Sequence, residues 1–211
     1  MIVGGSALTA HRTPMSDLDM VVVTGPREAP YRQSSRWEGW PVEVLIHDER
    51  SLAAYCDDNL ARRWPGIPRL IAEGTVVSDH GSLGRGMQAE MRRRLADGPT
   101  AATPAEIEAH RYALTDLLDD LAGAEDPAET AFIACRVMTR TAQLALLSAR
   151  HWQGTGKWLL RELRDHDPDL AARLARSLPE PEQLAAVAHQ VLDGAGGPLW
   201  EGYRVTDPRN P

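Results

Sequence analysis

The sequence predicts an α+β (or α/β) protein in which a small mixed-sheet domain is followed by an α-helical bundle domain. Short apolar runs alternate with helix-compatible segments in the first half, which is typical of a domain built on a small sheet. Apolar residues then recur at helical spacing through the second half. A stretch rich in Pro, Ala and Thr separates the halves, so we place the domains at residues 1–98 and 99–211.

The first domain is predicted to contain short strands that end at turn-forming residues. The predicted strands are residues 1–4, 18–24, 40–46 and 75–78. The predicted helices are residues 6–12, a segment from Asp48 to about 62, and 83–96. Asp48 is the expected cap of the second helix, with Ser51 as the alternative. Segment 25–39 is predicted as a polar loop, and Trp64 to Pro68 as a break.

The second domain is predicted to be helical throughout. Thr103-Pro104 supplies a capping residue and a proline at the first helical position. The predicted helices are residues 104–123, 127–152, 157–165, 168–177 and 180–193. Gly154-Thr155-Gly156 interrupts the series, and Asp207 to Pro211 is expected to be a loose tail.

The composition narrows the class of protein. Apolar content of 43% and charged content of 25% are ordinary for a globular protein. No run reaches the length of a membrane span, and Cys56 and Cys135 fit reduced core residues, so we expect a cytoplasmic protein without a membrane partner. The net charge of −7 argues against nucleic acid and favours a cationic small molecule as partner.

The most informative feature is the spacing between a glycine turn and a pair of carboxylates. Ten residues separate Gly5-Ser6 from Asp17-Leu18-Asp19. Carboxylates two apart on a strand project from the same face, and such a pair is costly unless a cation neutralises it. Mg²⁺ performs this role in phosphate chemistry, and a glycine turn before a helix can hold a phosphate. The combination predicts nucleotidyl transfer.

Two further residues are candidates for this site. Glu43 stands in the middle of an apolar strand, where it could supply a third carboxylate to the metal; the alternative is an outward-facing residue on a half-exposed strand. Lys157 is the only lysine among 23 cationic residues. Because lysine and arginine are not interchangeable at phosphate sites, Lys157 is a candidate phosphate ligand, although chance retention would also explain it.

The signature of the polymerase-beta-type nucleotidyltransferase superfamily resembles this pattern of Gly5-Ser6, the ten-residue gap, Asp17-Leu18-Asp19 and Glu43. In detail the chain resembles its aminoglycoside-modifying branch, the kanamycin-type nucleotidyltransferases. Supporting stretches are Trp40 to Val44, Arg63-Trp64-Pro65, Ala113 to Gly123, Leu178 to Glu182 and Gly202 to Val205. That family pairs a nucleotidyltransferase domain with a helical bundle, and its active site often lies between domains or at a dimer interface. The resemblance therefore also allows a homodimer.

The resemblance implies a role for each residue. Gly5 and Ser6 would hold the triphosphate of ATP, and Asp17 and Asp19 would bind Mg²⁺ with Glu43 completing or flanking the metal site. Asp120 would deprotonate the acceptor hydroxyl, with Asp116 as its rival. Lys157 resembles a cation near the nucleotide phosphates in streptomycin/spectinomycin adenylyltransferases.

The expected reaction is the transfer of AMP from ATP to a hydroxyl of a small acceptor, such as an aminoglycoside. Two alternatives stay open. The first is an antitoxin-type nucleotidyltransferase that modifies a protein or RNA, and the second is a catalytically inactive relative that only binds nucleotide. Asp116, Asp119 and Asp120 could also simply form the hydrated face of an amphipathic helix.

Overall fold

A computed structural model describes residues 1–26 and 29–205 of the chain. The chain divides into two compact units, Met1–Pro99 and Thr100–Pro211. Among the described residues, the first unit holds a five-stranded mixed sheet with helices, and the second holds helices alone. The predicted α+β class is therefore confirmed. The predicted tail from Asp207 to Pro211 lies outside the described residues.

The sheet of the first unit contains one parallel pair of strands. Its strands are β1 (Ile2–Gly4), β2 (Leu18–Thr24), β3 (Tyr31–Trp37), β4 (Trp40–Asp48) and β5 (Thr75–Val76). Their order across the sheet is β3-β4-β2-β1-β5. The central strands β2 and β4 are parallel, and the other neighbours are antiparallel. The two strands that carry the predicted acids are therefore direct neighbours.

Helices cover one face of this sheet. They are α1 (Glu49–Ala61), α2 (Gly66–Glu73) and α3 (Leu83–Ala96). The core between helices and sheet contains Ile2, Val21, Leu52, Cys56, Ile71, Ala72 and Met91. Because side chains alternate along a strand, Asp19 projects from the same face as Val21, at the end of the covered face.

The largest difference from the prediction is strand β3, since residues 25–39 were expected to form a loop. All of its residues are exposed, so the apolar alternation that predicts a strand is missing. A turn at Glu38-Gly39 forms the strand instead: both residues have positive φ and Trp37 pairs with Trp40. Such a two-residue turn matches the twist of the strands it joins.

Other boundaries also differ from the prediction. The expected helix over 6–12 is only a 3₁₀ turn at Ser6–Leu8, and the strand expected at 75–78 is shorter. The break at Trp64 to Pro68 overlaps α2, because Pro68 lies in the first helical turn, where the missing N–H costs nothing. Asp48 is the N-cap of α1, and Ser51 binds back to it, so the two residues form a reciprocal capping box.

The second unit is built from five described helices. They are α4 (Pro104–Gly123), α5 (Pro127–Ser148), α6 (Lys157–His166), α7 (Pro168–Ser177) and α8 (Pro181–Gly194). Their buried leucines form one core, which includes Leu114, Leu144, Leu163, Leu184 and Leu192. Helix α5 ends four residues earlier than expected. Cys135 on this helix is exposed, which corrects the expectation that both cysteines are core residues.

No helix in the described part of the chain is both long enough and apolar enough to cross a bilayer.

Two histidines of the second unit contact each other. The ring centroids of His151 and His166 are 4.3 Å apart. Burial lowers the pKa of His151, the neighbouring His166 lowers it further, and Asp165 opposes both effects. Because this pKa lies below its ordinary value of 6.5 in the folded chain, the unfolded chain binds more protons in mild acid. Folding stability therefore falls as the pH drops below about 6.5.

We expect His166→Gln to weaken this pH dependence, because it removes the neighbouring ring that lowers the pKa of His151. The measurement is the free energy of unfolding in urea between about pH 8 and pH 5. His189→Gln, at an exposed position of α8, is the control and should leave the dependence as it is. An identical pH dependence in native and His166→Gln proteins would show that the contact has no electrostatic consequence.

Candidate active site

The register of the sheet places four site positions side by side. Gly4 on β1 pairs with Asp19 on β2, and Asp19 pairs with Glu43 on β4. Glu43 in turn pairs with Ser34 on β3. Directly paired residues project from the same face, so this row brings the Asp19 and Glu43 side chains to one level of the sheet.

The backbone of Gly5 lies against the carboxylate of Asp19. A Cβ built on Gly5 would overlap the Oδ2 atom of Asp19 and come within 3.0 Å of its Cγ atom. Gly5 also has φ 85° and ψ −179°, a conformation that is essentially restricted to glycine. Both the backbone conformation and the neighbouring carboxylate of Asp19 therefore require glycine at position 5.

Gly4 is required for a different reason. A Cβ at this position would come within 2.5 Å of the Leu70 Cδ1 atom on α2 and within 3.1 Å of the Leu70 carbonyl oxygen. The missing side chain thus lets α2 pack over the end of β1. The packing of α2 therefore depends on Gly4, and the placement of the Asp19 carboxylate depends on Gly5, the next residue of the chain.

Buried serines hold the two ends of the segment between Gly5 and Asp17 together. The Ser6 and Ser16 Oγ atoms are 3.0 Å apart, and both side chains are buried. The backbone N–H of Thr13 donates to Ser16 Oγ at 2.9 Å. The ten-residue spacing therefore closes into a loop that brings the glycine turn next to the residue preceding Asp17.

We expect Ser16→Ala to destabilise the first unit by about 1–2 kcal/mol, because the Thr13 N–H and the Ser6 hydroxyl would lose a buried partner. Urea unfolding measures this change. Ser35→Ala removes an exposed hydroxyl from β3 and is expected to have little effect. Equal stability of Ser16→Ala and the native protein would mean that the loop is held by other contacts.

Glu43 is bound by side chains of the edge strand. Arg32 donates from Nη2 to the Glu43 Oε2 atom, and Ser34 donates from Oγ to the Oε1 atom at 3.3 Å. The side chain of Glu43 is 17% exposed, whereas that of Arg32 is 64% exposed. Within residues 1–26 and 29–205, no three His, Cys, Asp or Glu side chains are grouped closely enough to hold a metal ion.

The donor set can be tested against a magnesium ion. Asp17 immediately precedes β2 and is half-buried, as Asp19 is, and both carboxylates supply only oxygen donors. Mg²⁺ prefers such donors and usually takes one or two carboxylates together with substrate phosphates. Gly5 leaves the space that the Asp19 carboxylate fills. The residues fit a two-carboxylate site, with Glu43 turned toward Arg32.

The remaining predicted residues belong to the second unit. Asp120 and Asp119 are exposed near the end of α4, and Asp116 is half-buried one turn earlier. Lys157 is exposed and is the first residue of α6. The N-cap of this helix is Gly156, which has no side chain to accept a hydrogen bond from the helix end. A cation at this end of a helix opposes the helix dipole, which makes Lys157 an unfavourable choice for stability alone.

Sequence reasoning missed Arg32, Ser34 and Ser16. Arg32 and Ser34 lay in the segment expected to be a loop. The signal for their strand was the pair of tryptophans flanking Glu38-Gly39, because a two-residue turn ending in glycine between aromatic residues favours a hairpin. Ser16 carried no signal beyond its place before Asp17.

Comparison with known proteins gives a structural likeness without a match in sequence. Neither a protein-family model nor a curated protein matches this sequence. Among solved structures, the chain is similar to a nucleotidyltransferase-like protein from Exiguobacterium sibiricum 255-15, with 12% sequence identity and a TM-score of 0.44. The similarity covers 84% of this chain and 62% of that protein. A likeness at this level does not define a family.

Proposed function

We propose that the chain is a Mg²⁺-dependent nucleotidyltransferase that transfers AMP from ATP to a hydroxyl of a small cationic acceptor. One observation carries this proposal: Asp19 lies on a strand beside Glu43 and directly against the glycine turn at Gly5. A carboxylate that could bind a metal and a backbone turn that could hold a phosphate therefore lie side by side at one end of the sheet. A merely solvated acid would not need a glycine to make room for it.

The proposed roles follow from this placement. Asp17 and Asp19 would hold the cation, with Glu43 completing or flanking the metal site. The Gly5-Ser6 backbone would hold the triphosphate beside it. The buried contact between Ser6 and Ser16 keeps these two parts of the site in register. When bound, Mg²⁺ would neutralise charge on the phosphates and orient them. Much of the acceleration would then come from positioning, as in related phosphoryl transfers.

The reaction requires a base for the acceptor. The acceptor oxygen forms a bond to the α-phosphorus, the bond from that phosphorus to the bridging oxygen breaks, and pyrophosphate leaves. The hydroxyl proton passes to a carboxylate, for which we propose Asp120, with Asp116 as the second candidate. Lys157 would neutralise charge on the departing pyrophosphate, and an anion there would relieve the unfavourable position of Lys157 on α6.

A cationic acceptor is supported by the charge of the chain. The net charge of −7 favours association with polycations and disfavours a nucleic-acid backbone. An aminoglycoside combines several ammonium groups with free hydroxyls, and it is therefore our first candidate.

The test is transfer of label from α-³²P-ATP in the presence of Mg²⁺ to each of a panel of acceptors. We expect labelled product with one or more aminoglycosides, and ATP–Mg²⁺ should raise the melting temperature further when that acceptor is present. Neutral sugars with the same number of hydroxyls are the control for charge.

Different outcomes separate the alternatives. Label on a co-purified protein or on RNA, with none on the small molecules, would favour the antitoxin-type reaction. Stabilisation by ATP–Mg²⁺ without any transfer would favour an inactive nucleotide-binding protein. Absence of both binding and transfer would overturn the proposal.

A further inference from the structure

We infer that Arg32 is a built-in competitor of the metal ion: its guanidinium occupies Glu43 and must leave before that carboxylate can bind Mg²⁺. The inference rests on the proposed function, because it takes Glu43 to be a metal ligand. It adds a residue from the edge strand that sets how tightly the site binds its metal.

Both carboxylate oxygens of Glu43 are directed to β3. Arg32 binds Oε2 and Ser34 binds Oε1. Arg32 pairs with Leu45 in the register of β3 and β4, so it is the diagonal neighbour of Glu43 on the same face. A long side chain reaches such a neighbour. Strand β3 therefore supplies a guanidinium and a hydroxyl to the two carboxylate oxygens that a metal ion would otherwise bind.

The contact has the properties of a displaceable partner. Arg32 is 64% exposed, on a strand whose residues are all exposed, so its guanidinium can move into water when it leaves Glu43. Exposed ion pairs contribute little to stability. At the same distance a doubly charged ion attracts a carboxylate more strongly than a singly charged guanidinium does. Arg32 neutralises Glu43 in the metal-free protein and lowers, but does not abolish, its availability to a metal.

A purely structural ion pair makes a different prediction. Loss of a structural pair lowers folding stability and leaves metal affinity unchanged. Loss of a competitor raises metal affinity, and the gain requires Glu43. A gain in metal affinity that requires Glu43 therefore identifies the competitor.

The experiment measures Mn²⁺ binding to the full chain without nucleotide, by electron paramagnetic resonance and calorimetry. We expect Arg32→Gln to bind Mn²⁺ about two- to five-fold more tightly than the native chain, which corresponds to the small energy of an exposed ion pair. The same variant should melt at the same or a slightly lower temperature in the absence of metal.

Arg36→Gln is the matched control. Arg36 is on the same strand and the same face, but its Nη1 atom donates to the Gly39 carbonyl oxygen and to no carboxylate that the structure describes. It removes the same charge from the hairpin, so a general electrostatic effect would appear in both variants. Arg32→Gln combined with Glu43→Gln should show no gain over Glu43→Gln alone.

The outcomes separate this inference from the proposed function. Equal Mn²⁺ affinity of native and Arg32→Gln chains, or an equal gain in Arg36→Gln, overturns the inference and leaves the metal site standing. Failure of both native and Arg32→Gln chains to bind Mn²⁺, in the absence and in the presence of ATP, overturns the metal site itself, and the inference with it. A gain that persists without Glu43 overturns the assignment of Glu43 as the contested ligand.

Discussion

Asp19→Asn is expected to reduce AMP transfer by about a thousand-fold, because it removes a fixed charge from the place where phosphate charge must be neutralised. The substitution keeps the size of the side chain, and Asp19 is half-buried at the end of the helix-covered face. We therefore expect the variant to fold. The measurements are label transfer from α-³²P-ATP and binding of Mn²⁺.

The matched control for Asp19 is Glu73→Gln on α2. Glu73 is an exposed carboxylate of the same unit and pairs with Arg69 one turn away. Its loss should leave transfer within a factor of two of the native rate, since exposed pairs contribute little. If Asp19→Asn retained native transfer and native Mn²⁺ binding, the assignment of Asp19 to a metal would be wrong.

Gly5→Ala is expected to abolish Mg²⁺-dependent ATP binding through two separate effects. Its backbone conformation would strain any other residue by about 1–3 kcal/mol. The new methyl group would also push the Asp19 carboxylate out of its position. The site would lose its metal geometry although each carboxylate remains in the chain. The readouts are the melting temperature with and without ATP–Mg²⁺, and AMP transfer.

Gly39→Ala separates these two effects. Gly39 shares the positive φ, at 86°, but nothing lies within 4 Å of a Cβ placed there. We expect Gly39→Ala to lose stability and to keep its response to ATP–Mg²⁺. Equal behaviour of the two alanine variants would mean that strain alone matters and that the approach of Asp19 to Gly5 has no functional role.

Some of the architecture follows from the sequence because local signals and tertiary packing agree. The Val-rich β2 strand and the helix beginning at Thr103-Pro104 carry strong local patterns, and both occur at the predicted places. Strand β3 could not be predicted from its apolar pattern, because an edge strand without a covered face needs no apolar side. Its existence depends on pairing with β4 and on the Glu38-Gly39 turn.

In the candidate site, too, part of the arrangement follows from local sequence patterns and part depends on strand pairing. The adjacency of Asp19 and Glu43 follows from two apolar strands that carry acids, once the strands are neighbours. The partner of Glu43 does not follow, because Arg32 reaches it through a register that no local pattern specifies. The roles of Asp17, Asp19, Glu43, Asp120 and Lys157 stay predictions that the experiments above address.

The two glycines at the end of β1 have a consequence for mutational tolerance. Substitutions at Gly4 would act on folding, because they displace Leu70 and with it α2. Substitutions at Gly5 would strain the backbone and would also displace the carboxylate of Asp19. In a library of variants, a screen for protein abundance would therefore select at both positions, and a screen for product formation would add a further requirement at Gly5. Adjacent positions with the same residue would thus be constrained by separate requirements, one of the scaffold and one of the chemistry.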